Sequence, residues 1–155
     1  MGLEGDGTTE TREVDHAWQF EGVASSTAVD RQREKMSAEA LDEVARRGGV
    51  DLVVAHQGAG DVVGRIEECR VEGGVLRVRG SLRGDKGPAV QLRERLRRGE
   101  QLGLSLGGKV TRAHWGWDGQ VEGPVRHLDE VWVEHVAVCP AEQAVNPDAW
   151  VRLAR

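Results

Sequence analysis

A chain of 155 residues is long enough for one domain with its own core. With 30% charged and only 4% aromatic residues, that core has to be aliphatic, built mainly from Val, Leu and Ala. A net charge of -5 speaks against a general nucleic-acid binder, and no apolar run approaches the ~18 residues of a membrane-spanning helix.

Residues 1–16, rich in Gly, Thr and acidic side chains and lacking a hydrophobic signal core, read as a flexible lead; residues 17–155 read as a single domain. Order is expected from residue 17, where Trp18, Phe20, Gly22 and Ala24 alternate with polar neighbours as in a strand. Residues 25–36 read as a polar loop containing Asp30. Ser37 suits a helix N-cap, Glu39 suits the positive end of the helix dipole, and Leu41, Val44 and Ala45 share one face. Asp42 with Arg46 and Glu43 with Arg47 have the spacing of i,i+4 ion pairs, and Gly48-Gly49 ends the helix.

Residues 50–56 read as a strand apolar on both faces, hence a covered one. Residues 62–71 and 75–82 read as the arms of a hairpin around Gly73-Gly74. Pro88 opens a second helix with Ala89, Leu92 and Leu96 inward and Gly99 at its end. Its outer face, with Arg93, Arg95, Arg97 and Arg98, is either simply solvated or a contact for an acidic partner. Residues 101–113 and 125–138 read as strands separated by turn signals at Asp118-Gly119 and Gly123-Pro124, and Pro140 and Pro147 interrupt the C-terminal segment. The strands succeed one another without regular helical crossovers. The expected class is therefore mainly β with peripheral helices (α+β), as a mostly antiparallel barrel or sandwich.

The stretch Gly103-Leu104-Ser105-Leu106-Gly107 puts three leucines, Leu102 included, on one strand face and Ser105 between two glycines on the other. A lone hydroxyl on such a strip suits a nucleophile that meets an extended peptide, with backbone N–H groups near Leu106 and Gly107 available to an oxyanion. A serine needs a base, and His56, at the end of an apolar strand, and His135, on a strand face with Val131, Val133 and Ala137, are the candidates for base and orienter. Taken singly, each has a plainer reading: a serine in a turn or strand, and histidines satisfied by backbone carbonyls or cross-strand partners. His16, His114 and His127 carry no special signal. A metal site using His135 with Cys139 or His56 lacks any Cys-x-x-Cys or His-Glu-x-x-His pair, so no metal or other cofactor is implied. Cys69 and Cys139, the only cysteines, read as reduced residues.

The order of several segments resembles the prohead maturation proteases of tailed bacteriophages, which share their fold with the herpesvirus assemblins. The segments are Phe20-Glu21-Gly22-Val23-Ala24-Ser25, Val29-Asp30-Arg31-Gln32, the helix from Ser37, Leu52-Val53-Val54-Ala55-His56, Val63-Gly64-Arg65, Gly74-Val75-Leu76-Arg77-Val78-Arg79-Gly80, the strand around Ser105 and Asn146-Pro147-Asp148-Ala149. The resemblance runs from about Trp18 to Trp150. It implies a single antiparallel β-barrel, with Ser105 as nucleophile and His56 as base. Many phage relatives carry an acidic third residue; here Glu134-His135-Val136-Ala137-Val138-Cys139 is similar to the assemblin strand whose histidine completes a Ser-His-His triad. His135 is therefore expected in that role, with Asp129, Glu130 and Glu134 as acidic competitors. The assemblin arginines beyond that strand are replaced by Pro140-Ala141-Glu142-Gln143.

The resemblance implies a serine endopeptidase cutting scaffold and capsid-protein segments, and itself, inside the assembling procapsid in the host cytoplasm. Its partners are then the major capsid protein and scaffold, with a homodimer or higher oligomer open and neither nucleic acid nor membrane expected. A non-catalytic head-assembly module that keeps the barrel is the alternative.

Overall fold

Alternating apolar side chains and glycine-marked turns give a β structure, described by a computed structural model for residues 17–54 and 61–155. In chain order the elements are β1 (Gln19–Ser26), β2 (Glu34–Met36), α1 (Ala38–Arg47), β3 (Asp51–Val54), β4 (Asp61–Glu72), β5 (Val75–Leu82), α2 (Gly87–Arg97), β6 (Leu102–Trp117), β7 (Pro124–Pro140), a 3-10 turn (Ala141–Gln143) and β8 (Trp150–Leu153). Seven strands close into a barrel in the order β7-β3-β4-β5-β1-β8-β6, with β6 returning to β7; β2 lies beside β7 as an eighth strand.

The barrel is mixed, which corrects the expectation of an antiparallel one. Both β2 and β3 run parallel to β7, Met36 opposite Leu128 and Asp51 opposite His135. The cause is α1. Its ten residues advance the chain by about 15 Å, while the seven residue steps of β7 from Leu128 to His135 span about 23 Å. The helix thus carries the chain along one edge of β7 without reversing it. Ser37 caps α1 as expected, its hydroxyl accepting from the Ala40 N–H at 3.0 Å, and Gly48 ends it at φ 60°. Glu43 pairs with Arg47 at 3.1 Å, but Arg46 turns to Glu43 rather than to Asp42.

The interior is aliphatic apart from one ring. Phe20, Leu41, Leu52, Ile66, Leu76, Leu92 and Leu104 are fully buried, and each such side chain stabilises the fold by about 1.5–3 kcal/mol. Phe20 faces Gly80 across the β1–β5 ladder, where a Cβ would stand 2.7 Å from the tip of the ring. Ala89, Leu92 and Leu96 bury the inner stripe of α2.

Strands β6 and β7 are 16 and 17 residues long, more than the barrel needs, and their paired far ends form an arm. The strand expected over residues 101–113 therefore runs on to Trp117. Trp115 and Trp117 on the arm are 68% and 76% exposed. The segment that reads as loop, residues 25–36, is not all loop: Ser25 and Ser26 end β1 and Glu34–Met36 form β2, and residues 27–36 make a strap fastened to the arm. Lys35 pairs with Asp118 at 2.6 Å, Arg126 with Glu34 at 2.6 Å, and the Val29 N–H donates to Gln120 Oε1 at 3.1 Å.

Candidate active site

Ser105 lies opposite Ala137 and Gly107 opposite His135 in the antiparallel β6–β7 ladder. Opposed residues share a face, so Ser105 and His135 are diagonal neighbours on one face of the sheet. Leu104 and Leu106, opposite Val138 and Val136, occupy the other face and pack in the core. Ser105 and His135 are both half-buried.

Strict alternation would put His135 on the face of Val131 and Val133, as the sequence suggests. It does not, because β7 carries a bulge. The register passes from Gly107 opposite His135 directly to Gly108 opposite Val133, leaving Glu134 as an extra residue. Val133 and Val136 both pack against the core, and the two residues between them both lie outside it. Bulges re-aim side chains in this way and are common beside active sites.

The glycines flanking Ser105 have a second reason, which the sequence does not disclose. A Cβ on Gly107 would overlap the His135 imidazole, with Cε1 at 2.5 Å and Cδ2 at 2.7 Å. A Cβ on Gly103 would stand 2.8 Å from the Cβ of Ala144, just beyond the 3-10 turn. Both vacancies are filled by the protein itself, and Ser105 between them lines the groove described next.

One edge of β6 is paired with β7 along its length; the other meets β8 only at Leu102, opposite Val151, and from Gly103 onward has no partner among the described residues. Residues 104–110 of β6 line a groove of about 300 Å³ together with Leu128, Val131, Trp132 and Val133 of β7. Ala24, Ser25, Ser26 and Asn146 line it as well, with Asp30 and Glu34 from the strap. The part of the lining around Ser26 is clipped together by a small polar network. The buried Ser26 hydroxyl donates to Asp148 Oδ2 at 2.7 Å and accepts from the Ala28 N–H at 3.2 Å, while Asn146 Oδ1 accepts from the Asp148 N–H at 2.9 Å. Asp30 organises the strap, its Oδ1 accepting from the Gln32 and Glu34 N–H groups at 2.8 and 2.9 Å. Burial pushes the Asp30 carboxyl above its ordinary value, against the pull of those two N–H donors.

The acidic competitors of His135 stand elsewhere. Asp129 is held by His114 Nδ1 at 2.6 Å, and Glu130 lies opposite Arg112 with Thr111 Oγ1 on its carboxylate at 2.7 Å. Arg112 is seven residues along β6 from Ser105, roughly 23 Å. Glu134 is the exposed extra residue of the bulge. His127 stacks on His114, ring centroids 4.9 Å apart, away from Ser105 on the arm. His16 and His56 lie outside the described residues. The strand that leads toward His56, β3, ends with Val53 and Val54 opposite Ala137 and Val138, on the edge of β7 away from β6. No group of three metal-ligating side chains occurs among the described residues, and both cysteines are free thiols that burial shifts upward in pKa.

A family model described as caudovirus prohead serine protease matches residues 8–154. The chain belongs to that family. Neither a curated protein nor a solved structure gives a match. Membership in the prohead protease family supports a protease role in capsid maturation and implies a serine peptidase, the reading that the order of sequence segments suggested. No described helix is long and apolar enough to cross a membrane.

Proposed function

We propose that this protein is the endopeptidase of procapsid maturation, cutting scaffold and capsid-protein segments, and itself, with Ser105, His56 and His135 as its triad. Ser105 Oγ attacks the scissile carbonyl while His56 takes its proton. The tetrahedral oxyanion is held by backbone N–H groups near Leu106 and Gly107. His56 then gives the proton to the departing amine, and water releases the acyl group from Ser105 by the same route in reverse. His135 holds the His56 ring in the tautomer that can accept.

The observation that carries this reading is the diagonal placement of Ser105 and His135 on one face, with Gly107 vacated for the imidazole. Diagonal neighbours in a ladder are about 7–8 Å apart, with their Cβ atoms somewhat closer, so the two side chains reach a common space at which a third can join them. The open edge of β6 supports the same reading, since an extended substrate could add as a strand and bring its carbonyl beside Ser105. A neutral imidazole stabilises the imidazolium less than a carboxylate does, so slow turnover is expected. Substrates packed beside the enzyme in a procapsid compensate through local concentration.

Ser105→Ala should abolish processing of co-expressed capsid protein, read by mass spectrometry of the products, with the far-ultraviolet circular dichroism unchanged. Undiminished processing by that folded variant would falsify the assignment and favour a non-catalytic assembly module.

A further inference from the structure

The face of α2 that turns away from the barrel carries positive charge in a chain whose net charge is -5. Lys86, Val90, Arg93 and Arg97 fall at i, i+4, i+7 and i+11 and form one stripe, with Arg83 just before the helix and Arg98 at its end. Several of these charges are already answered. Arg95 is held bidentately by Glu100 at 2.7 and 2.8 Å, and Glu94 serves Arg93 at 3.6 Å and Arg97 at 3.4 Å. Arg83 and Lys86 have no acidic partner among the described residues, and Arg98 stands near a Glu100 carboxylate that Arg95 has taken.

The described chain starts in the middle of this stripe. Arg93 Nε donates to the Ala17 carbonyl at 2.8 Å, and the same guanidinium lies 4.9 Å over the Trp18 ring. Trp18 is fixed in turn, packing on Gly84 and accepting the Leu82 N–H at 2.7 Å through its carbonyl. The sixteen residues that precede Ala17 contain Glu4, Asp6, Glu10, Glu13 and Asp15 against the single base Arg12.

We infer that residues 1–16 dock on the basic stripe of α2, so that this face is occupied by the chain's own acidic segment. The geometry permits it. Asp15 is within about 8 Å of the Ala17 Cα, and sixteen residues reach up to about 55 Å, whereas α2 is only about 16 Å long. Tethering supplies a high effective concentration, so several weak exposed pairs suffice where each alone would contribute little. An external acidic peptide has to compete with the tethered segment for the same stripe. The inference is independent of the roles given to Ser105, His56 and His135.

The lysine content makes a direct test possible, because Lys35, Lys86 and Lys109 are the only lysines. Lys35 is engaged by Asp118, and Lys109 on β6 serves as the comparison. The full chain is treated with a water-soluble carbodiimide at low ionic strength, and the monomer band is mapped by mass spectrometry. Carboxylates of residues 1–16 should link to Lys86 at least fivefold more than to Lys109. The preference should collapse at 0.5 M salt, where screening shortens to a few ångströms. Arg83→Glu with Arg98→Glu should reduce the Lys86 links severalfold. Glu10→Gln with Glu13→Gln, which leaves the folded body untouched, should reduce those from Glu4 and Asp6. Equal linking to Lys86 and Lys109, or yields indifferent to salt and to both pairs of substitutions, overturns the inference.

Discussion

Gly107→Ala isolates the contact on which the proposed site rests. The added methyl would lie 2.5 Å from Cε1 and 2.7 Å from Cδ2 of His135, against about 3.5–4.0 Å for unstrained carbon contacts. The ring has to retreat by about 1 Å. A displacement of that size in a catalytic group costs on the order of 100-fold in rate, about 2.7 kcal/mol of barrier. Stability should change by less than the ~1–3 kcal/mol of a core overpacking, because His135 is only half-buried and can swing outward. The assay is cleavage of co-expressed capsid protein by wild type, Gly107→Ala, His135→Ala and the double variant, with thermal melts beside it. If the methyl acts through the imidazole, it adds no further loss once His135 is alanine. An equal loss in both backgrounds refutes the reasoning, and so does full activity of Gly107→Ala.

Two further outcomes concern the groove walls. Ser26→Ala removes a buried donor to Asp148 and an acceptor for the Ala28 N–H, and should cost about 1–3 kcal/mol, or roughly 2–12 °C in melting temperature; an unchanged melt would show that the clip is idle. Asp30→Asn keeps an oxygen for the Gln32 and Glu34 N–H groups while removing a charge that burial disfavours. The folded state binds that proton more tightly than the unfolded chain, so the carboxylate's penalty is present above its raised pKa and disappears as the pH falls below the ordinary carboxylate value. Asp30→Asn should therefore melt higher than wild type at pH 7, with the gap closing toward pH 3; a gap that widens on acidification contradicts the sign.

Much of the fold was legible because it is local. Ser37, Gly48 and the Ala89, Leu92, Leu96 stripe announce the helices, and Gly73-Gly74 announces the β4–β5 hairpin. The parallel strands were not, since nothing local in Asp51 to Val54 says which edge α1 delivers them to. At the site, the glycine pattern drew attention to Ser105, but for an incomplete reason. The pattern cannot tell space kept for a substrate from space taken by His135 and Ala144, which arrive from 28 and more residues away. Parity places His135 correctly with Ala137 but wrongly with Val131 and Val133 for a related reason: a bulge adds one residue without a sequence signature. The Ser26, Asn146 and Asp148 clip was visible only as the motif Asn146-Pro147-Asp148-Ala149, with no hint of its partner on β1.

The supernumerary Glu134 makes β7 unusual in its tolerance of length change. In an ordinary strand, losing one residue turns every later side chain upside down. Here, excision of Glu134 leaves Val133 inward, His135 outward and Val136 inward, in regular succession. Orientation and curvature are thus separable at this one point: a shortened strand would keep every side chain on its present side while losing the local bend that sets barrel against arm.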